Sequence, residues 1–377
     1  MTNPHVQQLA DLILNYSIEL KPGERFMIHW AGDAPQPLVS ALIGGAAKIG
    51  ATPVWWHNED SFMRQILLNG TEQQMIELGK LHREEMARVQ AYVAIRGQDN
   101  IFEMNDVPAE RRKWYMQHYM TPVHMEQRVK KTRWCIMRYP NNSMAQLAET
   151  SVEAFTDFYF KTCLLDYKAF QKAMRPLKDL MEKTDTVRIT APGTDLRFSI
   201  KGIPAIPCDG KVNIPDGEVF TAPVRNSVNG TIQYNTPSPY MGGLYNNVCL
   251  TFRDGKIVEA KCDGDNDALN KIFDTDEGAR YVGEFAIGFH PWIRKPMKDI
   301  LFDEKIAGSI HFTPGKCYDD ASNGNDSAVH WDLVLIQRKD YGGGELYFDD
   351  KLIRKDGQFV VPELEHLNPE HWGAPAL

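Results

Sequence analysis

The sequence lacks several features that mark particular classes of protein. No apolar run approaches the roughly 20 residues of a membrane-spanning helix. The N-terminus has no basic stretch followed by an apolar core, so we expect neither a signal peptide nor a membrane partner. The six cysteines are scattered without a Cys-x-x-Cys pair. This disfavours a thiolate zinc site or a disulfide framework and is typical of the reducing cytoplasm, where we place the protein.

Positive charge and phosphate-binding motifs are also scarce. The formal net charge is −8, which disfavours nucleic acid and anionic membranes as partners. One basic cluster is interpreted as a solvated surface and comprises Arg128, Lys130, Lys131 and Arg133. The segment AGDAPQP, which follows the first predicted strand, is not the Gly-x-Gly-x-x-Gly of a dinucleotide-binding fold. We therefore expect no Rossmann-type dinucleotide site.

The first half of the 377-residue chain alternates strand and helix patterns. FMIHW, PLVSALIGGAAKIGA and TPVWWH predict a strand, a helix and a strand, and VQAYVAI and RWCIMRY predict further strands. Strands that alternate with helices indicate a parallel sheet. Residues 145–183 predict a long helical region, in which Pro176 is either a break or a residue in the first turn of a helix.

The second half has the pattern of antiparallel hairpins. The pairs are TVRIT with DLRFSI, NVCLTF with KIVEAK around Asp254-Gly255, and ELYFDDKLI with QFV around RKDG. At this length two domains are expected. We predict an α/β N-terminal domain with a parallel sheet over residues 1–185. An α+β, largely antiparallel C-terminal domain is predicted over residues 186–377.

Two ionisable residues stand in an apolar stretch near the C-terminus. SAVHWDLVLI, residues 327–336, predicts a strand with His330 and Asp332 on one face and apolar side chains on the other. A buried, unpaired carboxylate is costly, so Asp332 requires a cation, a hydrogen-bond network or solvent. These two residues alone fit either an aspartate that orients a histidine in a polar pocket or a metal site.

Further ionisable residues enter apolar sequence in the same half. Glu218 follows a Pro-Asp-Gly turn, Glu284 lies in RYVGEFAIGF, and His311 precedes Tyr318 by seven residues in AGSIHFTPGKCYDD. Taken singly, each is best interpreted as a satisfied core residue. Together with the pair described above, they supply the carboxylate and imidazole ligands that suit two divalent ions such as zinc, manganese, cobalt or iron.

The order of these motifs resembles that of a known family. DGEVFTAP, GEFAIG, LFDE, a histidine followed by Gly-Lys-x-Tyr, and HWD occur in turn over residues 213–335. They resemble the signature of the M29 peptidases, the aminopeptidase T-like metallo-aminopeptidases. LKPGERFMI and LVSALIGGAAKIGATPV are similar to that family's first βαβ unit, so the resemblance extends over most of the chain.

The resemblance implies roles for individual residues. Five match family metal ligands, with one glutamate bridging two ions: Glu218, Glu284, His311, His330 and Asp332. Tyr318 matches the catalytic tyrosine, which would donate a hydrogen bond to the developing oxyanion, and Glu284 is the second catalytic candidate. Glu304, in LFDE, would be an outer ligand.

The resemblance also implies an activity and leaves alternatives. The first is a two-metal aminopeptidase, with zinc, cobalt or manganese, that acts on short peptides as a homodimer with an enclosed cavity. The second is an M29-like dioxygenase that cleaves a dihydroxypyridine ring with one ferrous ion, a reaction that Trp331 and Trp292 would suit. Another metal-dependent amide hydrolase and a non-enzymatic, metal-stabilised binding protein are the remaining hypotheses. A complete second set of ligands favours the hydrolase.

Overall fold

The strands follow the hydrophobic patterns of the sequence. In the computed structural model, residues 3–377 are described. In chain order the strands are β1 Arg25–Ala31, β2 Thr52–His57, β3 Ala91–Arg96, β4 Arg133–Arg138, β5 Thr186–Ala191, β6 Thr194–Ser199, β7 Ile206–Cys208, β8 Asn213–Ile214, β9 Glu218–Thr221, β10 Asn229–Gln233, β11 Ser238–Tyr240, β12 Gly243–Arg253, β13 Lys256–Asp263, β14 Val282–Gly288, β15 Ser309–Pro314, β16 Val334–Ile336, β17 Glu345–Phe348, β18 Lys351–Lys355 and β19 Gln358–Phe359.

Most of the helices lie in the first half of the chain. The α-helices are α1 Pro4–Leu12, α2 Gln36–Ile49, α3 Asp60–Asn69, α4 Glu72–Met86, α5 Ala109–Tyr115, α6 Asn142–Leu147, α7 Val152–Cys163, α8 Tyr167–Met181, α9 Asn266–Phe273 and α10 Ile300–Asp303. Two segments are π-helical, Ile13–Ser17 and Met116–Val129. Short 3₁₀ helices are Gly278–Arg280, Asp319–Ala321, Lys339–Tyr341, Pro362–Leu367 and Pro369–Trp372. No helix within residues 3–377 is both long and apolar enough to cross a membrane.

The chain divides into two compact units. One comprises residues 1–164 with 210–215, and the other comprises residues 165–209 with 216–377. This division places α8 in the second unit, whereas the predicted boundary near residue 185 places it in the first. The domain boundary therefore stays a prediction.

The first unit is built on a parallel sheet with the strand order β2-β1-β3-β4-β8. The predicted βαβ unit is β1, α2 and β2, and α2 ends at Gly50, whose left-handed φ of 85° suits glycine. Met27 and Tyr92 from the strands pack with Leu67, Met75 and Tyr119 in one apolar core cluster. The predicted parallel sheet is confirmed.

The second unit contains two antiparallel sheets. A nine-stranded sheet runs β11-β12-β10-β6-β5-β17-β18-β19 with β13 beside β12, and a five-stranded sheet runs β16-β15-β14-β9-β7. The rings of Phe198, Phe285 and Phe312 pack together, and the centroid of Phe198 lies 5.0 Å from that of Phe285. The predicted antiparallel character is confirmed, and the smaller sheet carries the candidate site.

Two sequence interpretations of local structure need correction. Residues 145–183 are largely helical, as predicted, and belong to three helices. Pro176 is neither a break nor a first-turn residue, because it lies inside α8, where the buried stripe of Phe170, Met174 and Leu177 holds the helix in place. The third hairpin has an additional turn between β17 and β18 at Asp349 and Asp350. Both aspartates have left-handed φ values, of 47° and 63°, a conformation that aspartate tolerates better than most residues.

The interpretation of the basic cluster is wrong for Arg128. Its side chain is buried, with 6% of the residue exposed. The guanidinium carbon lies 4.4 Å from the ring centroid of Trp134, on which it stacks. Arg128 follows His124 by one turn in the π-helical segment, which turns both side chains inward; periodicity alone did not show this.

Candidate metal centre

Three adjacent strands of the smaller sheet position the first ligating side chains. Glu218 begins β9, Glu284 lies in β14, and His311 lies in β15, which pairs with β14. In the antiparallel registers, Gly288 is opposite Glu218 and Ala286 is opposite His311. All three side chains are buried. Strands that the sequence separates by many residues thus bring the three groups together.

His330 and Asp332 lie before the last strand of this sheet, and not within it. The strand predicted over residues 327–336 is wrong in extent, because only β16, Val334–Ile336, is a strand. Before it, His330 forms a single bridge with Gly315, and the Trp331 amide donates to the carbonyl of Pro314. The predicted alternation survives in burial, since Trp331 and its apolar neighbours are buried while His330 and Asp332 are partly exposed.

Two glycines of the motifs allow segments to pass closely. A side chain on Gly283 would meet the backbone of Lys316, and one on Gly315 would meet the carbonyl of Val329. Gly315 also has a φ of 106°, which L-residues rarely adopt. These close approaches hold the segment that bears Tyr318 against β14 and against the segment that bears His330.

The five predicted ligands form one connected cluster. His311 Nε2 lies 3.0 Å from Glu284 Oε1, and His311 Nδ1 lies 3.6 Å from Glu218 Oε2. His330 Nε2 lies 3.5 Å from the other oxygen of Glu284 and 3.3 Å from Asp332 Oδ1. Glu284 therefore lies between the two imidazoles, which is the position expected of a bridging ligand.

A buried lysine completes the charge distribution of the cluster. The ammonium of Lys305 is paired with Glu304 and lies 3.7 Å from Glu218 Oε1 and 3.9 Å from Asp216 Oδ1. Burial raises the pKa of Glu218 well above its usual range, although Lys305 opposes the shift. The Glu218 carboxylate is therefore short of positive charge even with Lys305 beside it.

The imidazoles respond to the carboxylates around them. Burial by itself lowers the pKa of His311, but Glu218 and Glu284 outweigh it and raise that pKa to about 10. Asp332 and Glu284 likewise overcome burial and raise the pKa of His330 to about 10. Burial raises the pKa of Asp332, but His330 outweighs this and holds it below its usual range. Without a metal, both imidazoles are thus doubly protonated and positively charged at neutral pH.

Tyr318 lies at the edge of the cluster. Its ring centroid is 4.9 Å from that of His330 and 5.4 Å from that of Phe220. The residue is 51% exposed, yet burial of its hydroxyl and the nearby carboxylates of Glu284 and Asp332 raise its pKa well above the usual value. The phenol therefore stays protonated at neutral pH.

A small cavity adjoins His330 and Asp332. It has a volume of about 110 Å³, and its apolar lining includes Tyr240, Ile300 and Val334. Sequence reasoning left open whether the aromatic stretch from Tyr234 to Tyr245 bounds a pocket or belongs to the core. It does both, because Tyr240 lines the cavity, whereas Tyr234 is fully buried and donates its hydroxyl hydrogen to the Phe312 carbonyl.

Trp331 is part of the aromatic core beside this cavity. It is 2% exposed, its ring stacks on Tyr240 at 4.6 Å, and its Nε1 donates to Ser238. Phe273 stacks on the same ring at 5.8 Å. Trp331 is therefore not the free aromatic platform that a planar substrate would use.

Sequence reasoning missed four residues of this centre. Lys305 was not singled out from the sequence, and only its complete burial reveals its role. Thr313 donates a hydrogen bond of 2.8 Å to Asp332, and Cys208 and Asp216 lie beside Glu218. For Lys305, Thr313 and Asp216 the available signal was a position next to, or two residues from, a predicted ligand. Cys208 had no such signal, because the pairing of β7 with β9 brings it beside Glu218.

The outcome for Glu304 differs from its expected role as an outer ligand. Its carboxylate pairs with Lys305, and burial raises its pKa. Its backbone carbonyl lies 3.3 Å from His311 Nδ1, so Glu304 contacts a predicted ligand through the main chain. Whether its carboxylate also binds a metal stays a prediction.

The residues fit divalent cations. Glu284, His330 and Asp332 offer ligand atoms that all lie within 4.8 Å of one another, and so do Cys208, Asp216 and Glu218. Glu218 Oε2 is a buried acceptor without a hydrogen-bond partner in the described chain. Carboxylate and imidazole donors suit zinc, manganese, cobalt and iron. An orphaned buried oxygen in such a set is the position where a cation is needed.

Fold and site together define a two-unit α/β protein whose antiparallel unit carries a carboxylate and imidazole cation centre. The chain belongs to the family described as thermophilic metalloprotease (M29), whose model matches residues 2–359. The family implies divalent metal ions.

Individual relatives agree with this assignment. Aminopeptidase 2 of Geobacillus stearothermophilus is 34% identical over 167 residues, which are 39% of this chain and 37% of that protein. This match thus spans little more than a third of that relative's length. The structure of wild-type AmpT from Thermus thermophilus has a TM-score of 0.79 at 22% identity, over 95% of this chain and 99% of that one.

A dioxygenase has a similar fold. The structure of 2,5-dihydroxypyridine dioxygenase from Pseudomonas putida KT2440 has a TM-score of 0.61 at 13% identity, over 97% of this chain and 99% of that one. At these identities both solved structures show the fold alone. The choice between the two chemistries therefore depends on the site residues.

Proposed function

We propose that this protein is a metal-dependent aminopeptidase that hydrolyses N-terminal residues from short peptides with a water activated by two divalent cations. One observation carries the proposal: five carboxylate and imidazole groups converge on one largely buried cluster in a metalloprotease-family chain. The five proposed ligands are Glu218, Glu284, His311, His330 and Asp332.

The distances suggest how the ligands divide. Glu284, His330 and Asp332 would hold one cation, and Glu218 and His311 would hold the other with Glu284 as the bridge. When bound, the two cations polarise a peptide carbonyl and lower the pKa of a shared water.

The charge of the cluster supports two cations over one. The cluster contains five carboxylates. Those of Asp216, Glu218 and Glu304 lie beside Lys305, and those of Glu284 and Asp332 lie beside the two imidazoles. With both imidazoles neutral, as metal ligation requires, five negative charges and one ammonium leave a formal charge of −4. Two divalent cations cancel that charge, whereas one leaves −2 in a buried site, where uncompensated charge is costly.

The chain's own groups supply the remaining functions. The protonated phenol of Tyr318 would donate a hydrogen bond to the oxyanion that develops during attack on the carbonyl. The cavity beside His330 would take the side chain of the N-terminal residue, and its volume of about 110 Å³ favours a small or medium apolar group. Tyr318 and Glu284 are accordingly the proposed catalytic residues.

The second candidate is ring cleavage with a single ferrous ion. That chemistry needs two imidazoles and one carboxylate with open positions, which His311, His330 and Asp332 can provide. The same cluster also retains Glu218 and Glu284, and this second set of donors favours the hydrolase.

The test combines metal counting with substrate chemistry. The protein would be purified without air or chelator, its metals counted by elemental analysis, and its activity assayed on dipeptides and on the same dipeptides with an acetylated N-terminus. About two zinc, manganese or cobalt ions per chain, with cleavage of the free dipeptides only, support the proposal.

Two results would overturn it. About one iron ion per chain with oxygen-dependent cleavage of a dihydroxypyridine would assign the protein to the second candidate. No bound metal, with none taken up on titration, would return His330 and Asp332 to a polar pair without a cation.

The family resemblance further supports a cytoplasmic homodimer. Sedimentation equilibrium of the metal-loaded protein tests the dimer, and a mass of one chain at micromolar concentration would count against it.

A further inference from the structure

The first unit contains a cavity that the candidate metal centre does not use. Its volume is about 270 Å³, and it lies where β1 and β3 end. β1 pairs with β2 on one side and with β3 on the other, so the order of strands reverses at this point. In parallel sheets such a reversal opens a crevice at the carboxyl ends of the strands, where ligands bind. We call it the switch-point cavity.

A buried guanidinium without an anionic partner lines the switch-point cavity. Arg128 is 6% exposed, and its ring contacts are Trp134 and Tyr92, with centroids 4.4 Å and 5.4 Å from the guanidinium carbon. Within residues 3–377, its Nη1 has no hydrogen-bond partner, and no carboxylate oxygen pairs with it. A buried charge without a counter-ion is costly, so an arginine held this way favours an anion from outside the chain.

The two histidines beside Arg128, His124 and His29, are uncharged and therefore do not attract the anion in place of Arg128. Burial lowers the pKa of His124 to about 2 and that of His29 to about 3. Arg128 Nε donates to His124 Nδ1 at 3.3 Å. A neutral imidazole that accepts at Nδ1 carries its hydrogen on Nε2, so His124 is a neutral donor.

A second orphaned donor lines the same cavity. The indole Nε1 of Trp30 is buried and has no hydrogen-bond partner among the described residues. Its ring is held by stacking on His57, with centroids 4.7 Å apart. Buried donors are nearly always satisfied in folded proteins. Two orphaned donors, on Trp30 and Arg128, in one cavity point to a ligand that accepts hydrogen bonds.

The remaining lining restricts the charge and shape of that ligand. The lining also includes Glu59, Asp60 and Arg96, and the two carboxylates formally balance the guanidiniums of Arg96 and Arg128. A ligand with a single negative charge is therefore favoured over one with more. Glu59 already accepts from the Gly32 amide at 2.7 Å. The rings of Trp30, Tyr92 and Tyr119 supply flat apolar walls, against which a planar group packs well.

We propose that the switch-point cavity is a ligand site for a small organic molecule with a single oxyanion group, a carboxylate in preference to a phosphate, held by Arg128 and Trp30. This site lies wholly within the first unit and does not depend on the metal centre or on the proposed peptidase activity.

Calorimetric titration of the full-length, metal-loaded protein tests the site. The probes are benzoate, the neutral isostere benzamide and inorganic phosphate. Benzoate is expected to bind saturably, with benzamide at least about tenfold weaker, because it lacks the charge that Arg128 requires. Phosphate that binds more tightly than benzoate, with the same dependence on Arg128, would overturn the preference for a carboxylate.

Four variants assign the binding. Arg128→Met should weaken benzoate binding at least about tenfold, and Trp30→Phe, which removes only the N–H donor, about threefold to tenfold. Arg112→Met removes an exposed arginine from the same unit and should change nothing. Glu284→Gln disturbs the metal centre and should also leave benzoate binding unchanged.

The outcomes that overturn the proposal are distinct. If neither benzoate nor phosphate binds at concentrations on the order of tens of millimolar, the site is excluded. Binding that survives both Arg128→Met and Trp30→Phe, or that disappears in Glu284→Gln, would place the anion elsewhere, in the last case at the metal centre. If circular dichroism shows that Arg128→Met is unfolded, the Trp30→Phe result decides.

Discussion

The ammonium of Lys305 lies 3.7 Å from Glu218 Oε1, and neither side chain is open to solvent. Burial alone would lower the pKa of Lys305, but Glu218, Glu304 and Asp216 outweigh it and raise that pKa above its usual value. The candidate centre therefore contains a permanent protein cation as well as its proposed metal ligands.

Lys305→Met should destabilise the protein by about 3–5 kcal/mol, because it leaves buried carboxylates without their cation. Urea unfolding of the metal-free protein measures the effect. Lys316→Met is the matched control, since Lys316 pairs with Asp326 at the surface and should contribute less than about 1 kcal/mol. Equal midpoints for the two variants would show that Lys305 does not stabilise the cluster.

Glu284→Gln should lower both metal content and turnover while the fold stays intact. Glu284 contacts both imidazoles, so its loss should reduce metal affinity by more than the 10–100-fold typical of an outer hydrogen-bond partner. Elemental analysis and dipeptide turnover measure the two effects, and Glu345→Gln, which changes a partly exposed glutamate of β17, is the control. Wild-type turnover in Glu284→Gln would disprove the ligand assignment.

Tyr318→Phe should reduce kcat by about 10²–10³-fold with unchanged metal content, because it removes one hydrogen bond to the oxyanion. Steady-state kinetics on a dipeptide separate kcat from KM. Tyr347→Phe removes a phenol that bonds to Glu345 on the surface and should leave kcat unchanged. A change in KM alone would reassign Tyr318 to substrate binding.

Metal binding should release protons at pH 7. In the metal-free protein the pKa values of His311 and His330 are raised to about 10, and ligation requires the neutral imidazole. About two protons should therefore leave as the metals bind, and the apparent affinity should increase with pH up to about 10. Calorimetry at pH 7 in buffers of different ionisation enthalpy counts the protons, and zero release would mean that the histidines are not ligands.

The same shifts set the pH dependence of the metal-free fold. Because the folded pKa of His311 lies above its ordinary value of 6.5, protonation of His311 stabilises the fold fully below that value. This stabilisation is lost as pH rises through about 10. The midpoint temperature of thermal unfolding, measured in the presence of a chelator, should accordingly fall between pH 7 and pH 10.

Much of the fold could be predicted because its signals are local. The βαβ unit over FMIHW, PLVSALIGGAAKIGA and TPVWWH was readable from periodicity, and the Asp254-Gly255 hairpin from its turn residues. The extent of the strand predicted around His330 was not predictable from the sequence. Apolar and polar residues alternate over residues 327–336, but only Val334–Ile336 pairs with a neighbouring strand.

Ionisable residues inside apolar sequence marked all five proposed ligands as candidates, and the resemblance to the M29 peptidases supplied their roles. Only the tertiary structure decided that these residues meet, that Lys305 joins them, and that Arg128 turns inward beside Trp134. Lysine and arginine in a polar context look alike whether they are solvated or buried. Burial depends on which distant segments pack over them, and local sequence carries no record of that packing.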